Sequence, residues 1–452
     1  MTIDAKSLYN ERLGRYQASM ALLPTDRVPL GISTIVPAYL YDGLNYQDTC
    51  YRPSRVLESC RKFYADFPEI DMFGAPSKNY YAPFMDAVEN NSYKYPGRDL
   101  AADVPFQYHE RANMEADEYE AFIAAPTEFL LQTWLPRILD ALADRQSPRY
   151  AFGLLKGAMA QARLRAEVGA IGAAMASELG LPPCSGSASH APFDELSDKM
   201  RDLKGILRDM RKQPEMVKKA CRVMVPFMVN KAMGGDPSRL FPSYMTTHKP
   251  MFLSPKEFDE FYWPSLKEML RITWECGVRV RLVMEGDWTP HVHRLLEVPK
   301  GSLVCELDMQ NDIVKIKEIV GGHHCIAGGL TDPDFILASP TEVDEKVHWL
   351  CETIGKGGGF MINGPCLIPG GSKVENIRAM CDAVMKYGWY DKSIKHQPLP
   401  PPEKTRDWTP LVFTPWETRK GELGGVTGDE EPIAKYWNAF EAQALSWIWS
   451  WL

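Results

Sequence analysis

Four runs of β-type residues lie in series between Arg279 and Cys366, and each hands a polar or metal-binding side chain to the loop that follows it. Residues 280–284 lead into Glu285-Gly286-Asp287-Trp288, and residues 302–307 end in Asp308. Residues 323–327 end in Gly328-Gly329, and residues 358–363 end in Gly364-Pro365-Cys366. Carboxylates and a thiol in such places can hold a proton, orient a substrate or ligate a cation. Helical and turn segments separate the runs at roughly 20 to 35 residues per unit, the pattern of a parallel sheet or (β/α) barrel. Strand exits in a barrel share the face where such folds do their chemistry, so Glu285, Asp308 and Cys366 are predicted to converge there.

The remaining elements must position that face. Residues 5–23 read as an amphipathic helix, 28–32 as a first strand, 48–67 as a second helix and 68–74 as a short strand. Residues 76–112 are rich in Tyr, Pro and Asn and contain Tyr80, Tyr81, Tyr93, Tyr95 and Tyr108. A loop of that length is a lid or pocket wall, or equally a decorated surface loop. Residues 115–150 read as helical, and 182–187 as a loop before Pro192 opens another helix. Residues 202–211 and 214–233 continue the helical pattern. Residues 241–247 are strand-like and put His248 at their exit. Ser254-Pro255-Lys256-Glu257 combines an N-cap, a first-turn proline and a capping-box glutamate for a helix reaching about Cys276.

With 452 residues, 45% of them hydrophobic, the chain can bury a large core. A net charge of -8 gives no electrostatic footprint for nucleic acid or an anionic membrane surface, which leaves a small molecule or another protein as partner. The most apolar stretch, 152–181, carries Lys156, Arg163, Arg165, Glu167 and Glu178, so it reads as a packed helix rather than a membrane span. Ten cysteines without close regular spacing and an opening without a signal-peptide pattern point to the reducing cytoplasm. A proline-rich connector at 396–402 then leads to a tail with half of the 12 tryptophans. The expected division is therefore a barrel over 1–395 and an extension over 396–452, whose apolar helix packs in cis or forms a homodimer.

Several pieces of the sequence resemble the uroporphyrinogen decarboxylase superfamily, in particular its zinc- and corrinoid-dependent methyltransferase branch. They are the stretches 194–201 and 208–215, 254–264 with Phe258, Phe261 and Trp263, the Met284-Glu285-Gly286 turn, and 357–366 followed by 375–380. The resemblance covers about residues 190–390 and implies a (β/α)8 TIM barrel with additional N-terminal helices. The decarboxylases carry an arginine-rich N-terminal motif, whereas Pro24-Thr25-Asp26-Arg27-Val28-Pro29 lacks the paired arginines. In the methyltransferases a His-x-Cys pair and a later Cys hold the zinc. Here Cys366 is kept, but the earlier pair reads Met284-Glu285 after Val283. Carboxylate, thiolate and imidazole can still bind Zn2+, so the expected metal ligands are Glu285, Cys366 and His248. His291 and His293 are the next choices, and His323 and His324 lie at the wrong end of their strand.

The reading this supports is a methyltransferase moving a methyl group from a small methylated compound to a corrinoid protein, with zinc as Lewis acid. The chain has no Asp-x-His-x-x-Gly corrinoid signature, so the corrinoid would arrive on a partner protein. Glu285, Asp308 and Asp312 are the candidate catalytic carboxylates, with helix capping an equal alternative for the aspartates. Tyr80, Tyr81, Trp288 and Asp287 are the candidate substrate contacts, and the aromatics favour a methoxylated aromatic donor. A decarboxylase of the same barrel, a methylcorrinoid:tetrahydrofolate or thiol methyltransferase, and a non-catalytic tetrapyrrole-binding barrel are the alternatives.

Overall fold

The computed structural model describes residues 4–32, 36–74, 77–364 and 370–452. Its centre is a parallel sheet of eight strands: β1 (Leu30–Ile32), β2 (Met72–Phe73), β3 (Ser187–His190), β4 (Ser243–Thr247), β5 (Val280–Met284), β6 (Leu303–Leu307), β7 (Cys325–Gly329) and β8 (Phe360–Asn363). Pairing runs β2-β1-β8-β7-β6-β5-β4-β3. A parallel bridge between Phe73 and Pro183 joins the two ends, with Phe73 N donating to Pro182 O at 3.1 Å and Cys184 N to Phe73 O at 2.9 Å. The architecture is the expected (β/α)8 barrel with added helices.

β5 and β6 are buried at every position, which is why their residues read as near-continuous apolar runs. The polar interruptions face one another inside. Arg281 Nε donates to Glu306 Oε2 at 2.6 Å with neither side chain exposed, Asn363 Nδ2 donates to Glu306 Oε1, and Arg281 Nη1 donates to Tyr16 OH at 3.1 Å. Tyr16 belongs to the helix Ala5–Met20, which lies across the N-terminal ends of the strands. There the Tyr16 hydroxyl donates to Cys184 O at 2.7 Å and Ser19 Oγ to Phe360 O at 3.2 Å.

On the same N-terminal face, Arg27 of the Pro24–Pro29 stretch is buried. Arg27 and Arg15 both grip Asp71, and Arg15 and His396 both grip Asp26. Burial alone would raise the Asp71 carboxyl, yet Arg27 and Arg15 lower it below the ordinary value. These arginines therefore brace the face opposite the strand exits, where residues of such barrels serve stability.

Two expected elements divide. The predicted helix over 48–67 is Tyr46–Tyr51 plus Pro53–Asp66, because Pro53 cannot donate to the preceding turn. Residues 76–112 are not a bare loop: they contain the helix Ala82–Ala87 and a ribbon pairing Tyr93–Lys94 with Gln107–Tyr108. The apolar stretch becomes the 32-residue helix Pro148–Leu179, and no helix among the described residues is long and apolar enough to cross a membrane. The tail docks in cis through its helix Glu431–Trp449. Trp449 stacks on Phe227 with ring centroids 3.9 Å apart and donates to Thr127 Oγ1 at 3.1 Å, and Trp451 stacks on Phe84 at 4.7 Å.

Candidate functional site

The register of β4 and β5 sets Thr247 beside Met284, so the next residues of each strand leave the barrel side by side. His248 and Glu285 meet there, with Nε2 and Oε1 3.5 Å apart and the side chains 36% and 25% exposed. The back of the imidazole is held by Asp198, whose carboxylate accepts the His248 Nδ1–H hydrogen bond and is also paired with Lys249. Asp194 braces the same turn: it accepts from His248 N at 3.0 Å, Lys249 N at 3.1 Å and the Tyr262 hydroxyl at 2.8 Å. Asp198 and Tyr262 both come from π-helical turns, Leu196–Arg201 and Phe258–Tyr262, whose widened spacing brings them to the strand exits.

The neighbouring exits add carboxylates. Asp308 follows β6 and accepts from Gly286 N at 3.1 Å and Met309 N at 2.7 Å. Asp332 lies beyond β7, where burial and the Asp308 charge push it up to about 6. Glu285 is raised by burial first and then by Asp308 and Asp198, against His248 and Lys249. Its turn depends on Gly286, at φ +73°, where an added Cβ would sit 2.7 Å from the Met251 side chain. Gly286→Ala is expected to destabilise the protein by about 1–3 kcal/mol through backbone strain, read as a lower unfolding midpoint in urea.

Burial would lower His248, but the Asp198 hydrogen bond and the charges of Glu285, Asp198 and Asp194 raise it to about 9. A value raised above the ordinary 6.5 means that this pairing supports the metal-free fold fully below pH 6.5 and is lost as pH rises through about 9. Thermal unfolding of metal-free wild type should lose stability across that window, and His248→Gln should flatten the loss. Equal slopes in the two proteins would contradict the assignment.

The donors suit zinc in part. Two ligands of a tetrahedral Zn2+ at ordinary N and O distances lie about 3.4 Å apart, close to the 3.5 Å between His248 Nε2 and Glu285 Oε1. The Asp198 carboxylate behind the imidazole is the partner that metal-binding histidines require. Cys366 lies outside the described residues, and among the described residues no group of three His, Cys, Asp or Glu is arranged to hold a metal.

Three of the four other candidate histidines have structural partners. His291 is buried, with Nε2 3.2 Å from Pro250 O and its ring stacked on Phe258 at 4.2 Å. His293 is exposed. His323 and His324 face the carbonyls of Val298 and Leu295, each at 2.8 Å.

Several sequence expectations fall elsewhere. Asp312 is the N-cap of the helix Ile313–Val320, accepting from Lys315 N at 3.1 Å and pairing with the Lys315 ammonium at 3.0 Å, which is the capping alternative. Asp287 is exposed and accepts from Thr289 N within its own turn. Trp288 is fully buried, edge-on to Phe258 and Tyr262, so it supports the wall from behind instead of flanking an open pocket. Tyr80 and Tyr81 line a separate small cavity with Tyr39, Glu167 and Ile171. Within the same tyrosine-rich segment it is Tyr108 that reaches the site, donating to Asp198 O at 2.7 Å. A small cleft beside it is lined by Tyr93, Tyr108, Trp134, Lys78, Lys199 and Trp451. The Lys199 ammonium lies 3.9 Å from the centroid of the Tyr108 ring.

Sequence reading missed Asp194, Asp198, Lys249, Tyr262 and His190. The spacing of Asp194 and Asp198 by four places them on one helical side, a signal present but ambiguous. His190 ends β3, a Ser-Ala-Ser-His strand without β-type composition, and it pairs with Glu195 at 2.5 Å.

Comparison with known proteins agrees with this architecture. The chain is similar to a methyltransferase from Methanosarcina mazei, with a TM-score of 0.53 and 16% sequence identity over 83% of this chain and 98% of that one. That likeness extends to the fold. No curated protein sequence matches. The model of the family uroporphyrinogen decarboxylase (URO-D) matches residues 174–387, which hold β3 to β8 and every side chain placed around His248 and Glu285 except Tyr108. Over residues 174–387, the part of the chain that carries the candidate site, this chain is similar to the uroporphyrinogen decarboxylase family.

Proposed function

We propose that this protein is a zinc-dependent methyltransferase that moves a methyl group from a small methylated compound, of the methoxylated aromatic class, to a corrinoid carried by a separate protein. The observation that carries the reading is the His248–Glu285 pair at adjacent strand exits, with Asp198 fixing the imidazole from behind. His248 and Glu285 would hold the ion, together with Cys366, which follows β8 in the sequence. Once bound, the ion supplies Lewis acidity toward an ether oxygen, which is otherwise a poor leaving group.

The chain's own residues do the rest. Asp198 accepts the His248 Nδ1–H hydrogen bond and so presents Nε2 to the ion, and His248 first, then Lys249, keep Asp198 ionised. Asp332, pushed up to about 6, retains a proton on part of the molecules near neutral pH and stands beside Asp308 as the candidate donor to the departing oxygen. Tyr93, Tyr108 and Lys199 line a small cleft next to Asp198, with the Lys199 ammonium over the Tyr108 ring.

The decarboxylase alternative needs arginines at the pocket. Arg15 and Arg27 are instead buried with Asp26 and Asp71 on the opposite face, which favours the methyltransferase reading.

Elemental analysis of purified wild type, Glu285→Ala and Cys366→Ala tests the proposal, followed by spectroscopic assay of corrinoid methylation with methoxylated aromatic acids. Near-stoichiometric zinc in wild type that falls in both variants is the expected result. A folded wild type that takes up no zinc when offered it would overturn the mechanism.

A further inference from the structure

The helix Pro148–Leu179 presents a face that its own fold leaves uncovered. At 32 residues it spans about 48 Å. One side is buried, but the opposite side is apolar instead of polar. Phe152, Leu155 and Met159 stand out at 62%, 55% and 63% exposure, at the spacing of one helical stripe. The stripe continues through Ala162, Ala166, Gly169 and Ala173, all exposed. Neither Gly169 nor Gly172 has any atom within 4 Å of the place where a Cβ would be. The protomer therefore has no steric need for glycine there, although glycine is the costliest residue after proline in a helix interior. Residues that small allow another backbone to come close.

The stripe is graded along its length in both size and charge. Its N-terminal half carries the bulky side chains together with Arg149, Lys156 and Arg163; its C-terminal half carries the small ones together with Arg165, Glu167 and Glu178. Only a reversed copy of the same gradient complements it throughout. We propose that Pro148–Leu179 is the seam of a two-fold symmetric homodimer in which two copies of this helix pack antiparallel. Phe152 and Leu155 of each copy then cover the small residues around Gly169 and Ala173 of the other, and Ala162 lies near the two-fold axis. Each basic half meets the partner's more acidic half. A parallel arrangement would set bulk on bulk and cation on cation. The two-fold arrangement is isologous, so it closes at two copies. Of the ion pairs these charges now make, Arg149 with Glu89 and Glu178 with Arg61 are at the surface and exchange partners at little cost, while Arg163 reaches the less exposed Glu167.

A second exposed stripe, Ile433, Tyr436 and Phe440 on the tail helix, supplies the control. Size-exclusion chromatography with light scattering on the full chain should give the mass of two chains for wild type and for Phe440→Glu, and of one chain for Ala166→Glu. Position 166 is exposed, so the helix content measured by circular dichroism should not change. Oxidative cross-linking gives the orientation: Ala162→Cys should link to itself, whereas Phe152→Cys and Ala173→Cys should link only when mixed. The cysteines among the described residues are all buried and add no background. A monomeric wild type at every concentration, a dimer that survives Ala166→Glu, or self-linking of Phe152→Cys would each overturn the proposal.

Discussion

Replacing His248 by alanine is expected to remove near-stoichiometric zinc and methyl transfer together, whereas Asp198→Asn should lower zinc affinity by roughly 10- to 100-fold and leave the ion bound at saturating concentration. The difference follows from where each group stands. His248 Nε2 is a donor facing Glu285 Oε1, and no other imidazole among the described residues pairs with Glu285. Asp198 acts one bond further out: it accepts the Nδ1–H hydrogen bond and so leaves Nε2 as the nitrogen that gives up its proton to the ion. Asparagine can accept the same hydrogen bond without the charge that strengthens it. Zinc competition against a chromophoric chelator measures the affinities, and corrinoid absorbance measures the transfer rate. His248→Ala with unchanged zinc content would reject the ligand assignment. Asp198→Asn with unchanged affinity would reduce Asp198 to a partner of Lys249.

Glu306→Ala is expected to destabilise the barrel by about 3–5 kcal/mol, because it strands the Arg281 guanidinium in a site without solvent. Arg281 and Glu306 are both fully buried, and the Arg281 Nη2 atom has no hydrogen-bond partner among the described residues. Removing the carboxylate leaves Arg281 with Tyr16 and takes from Asn363 its Glu306 contact. The double replacement Arg281→Met with Glu306→Leu should recover most of the loss, since apolar side chains of similar volume avoid the desolvation cost of both ions. Urea unfolding of wild type, single and double variants measures both effects. A double variant as unstable as Glu306→Ala would mean that the polar layer is required for closure of the barrel, beyond its charge balance.

The barrel was legible where its strands are mostly apolar, each with at most one polar residue. β5, β6 and β8 are buried on both faces, and a strand in that position must be built from residues that resemble nothing else. β3 was illegible for the converse reason. Ser189 is buried, yet its hydroxyl is satisfied by Ser243 at 3.2 Å, so a polar residue could fill an interior place without announcing a strand. Trp288 misled by type: a tryptophan after a strand exit reads as a substrate wall, and only packing against Phe258 and Tyr262 shows it closed off from the mouth. Asp312 was ambiguous by nature, since an aspartate before a helix is a cap or a catalyst according to what else is near.

By itself the sequence determined the strand exits and therefore the face that carries Glu285, Asp308 and His248, because alternation of apolar strands with helices is a local property of the chain. Tertiary structure decided which of these residues touch. The register of β4 on β5 set His248 against Glu285, and a π-helical turn brought Asp198, 50 residues away, to the back of the imidazole. Such contacts depend on how distant segments pair and pack, and residue spacing along the chain carries no record of that.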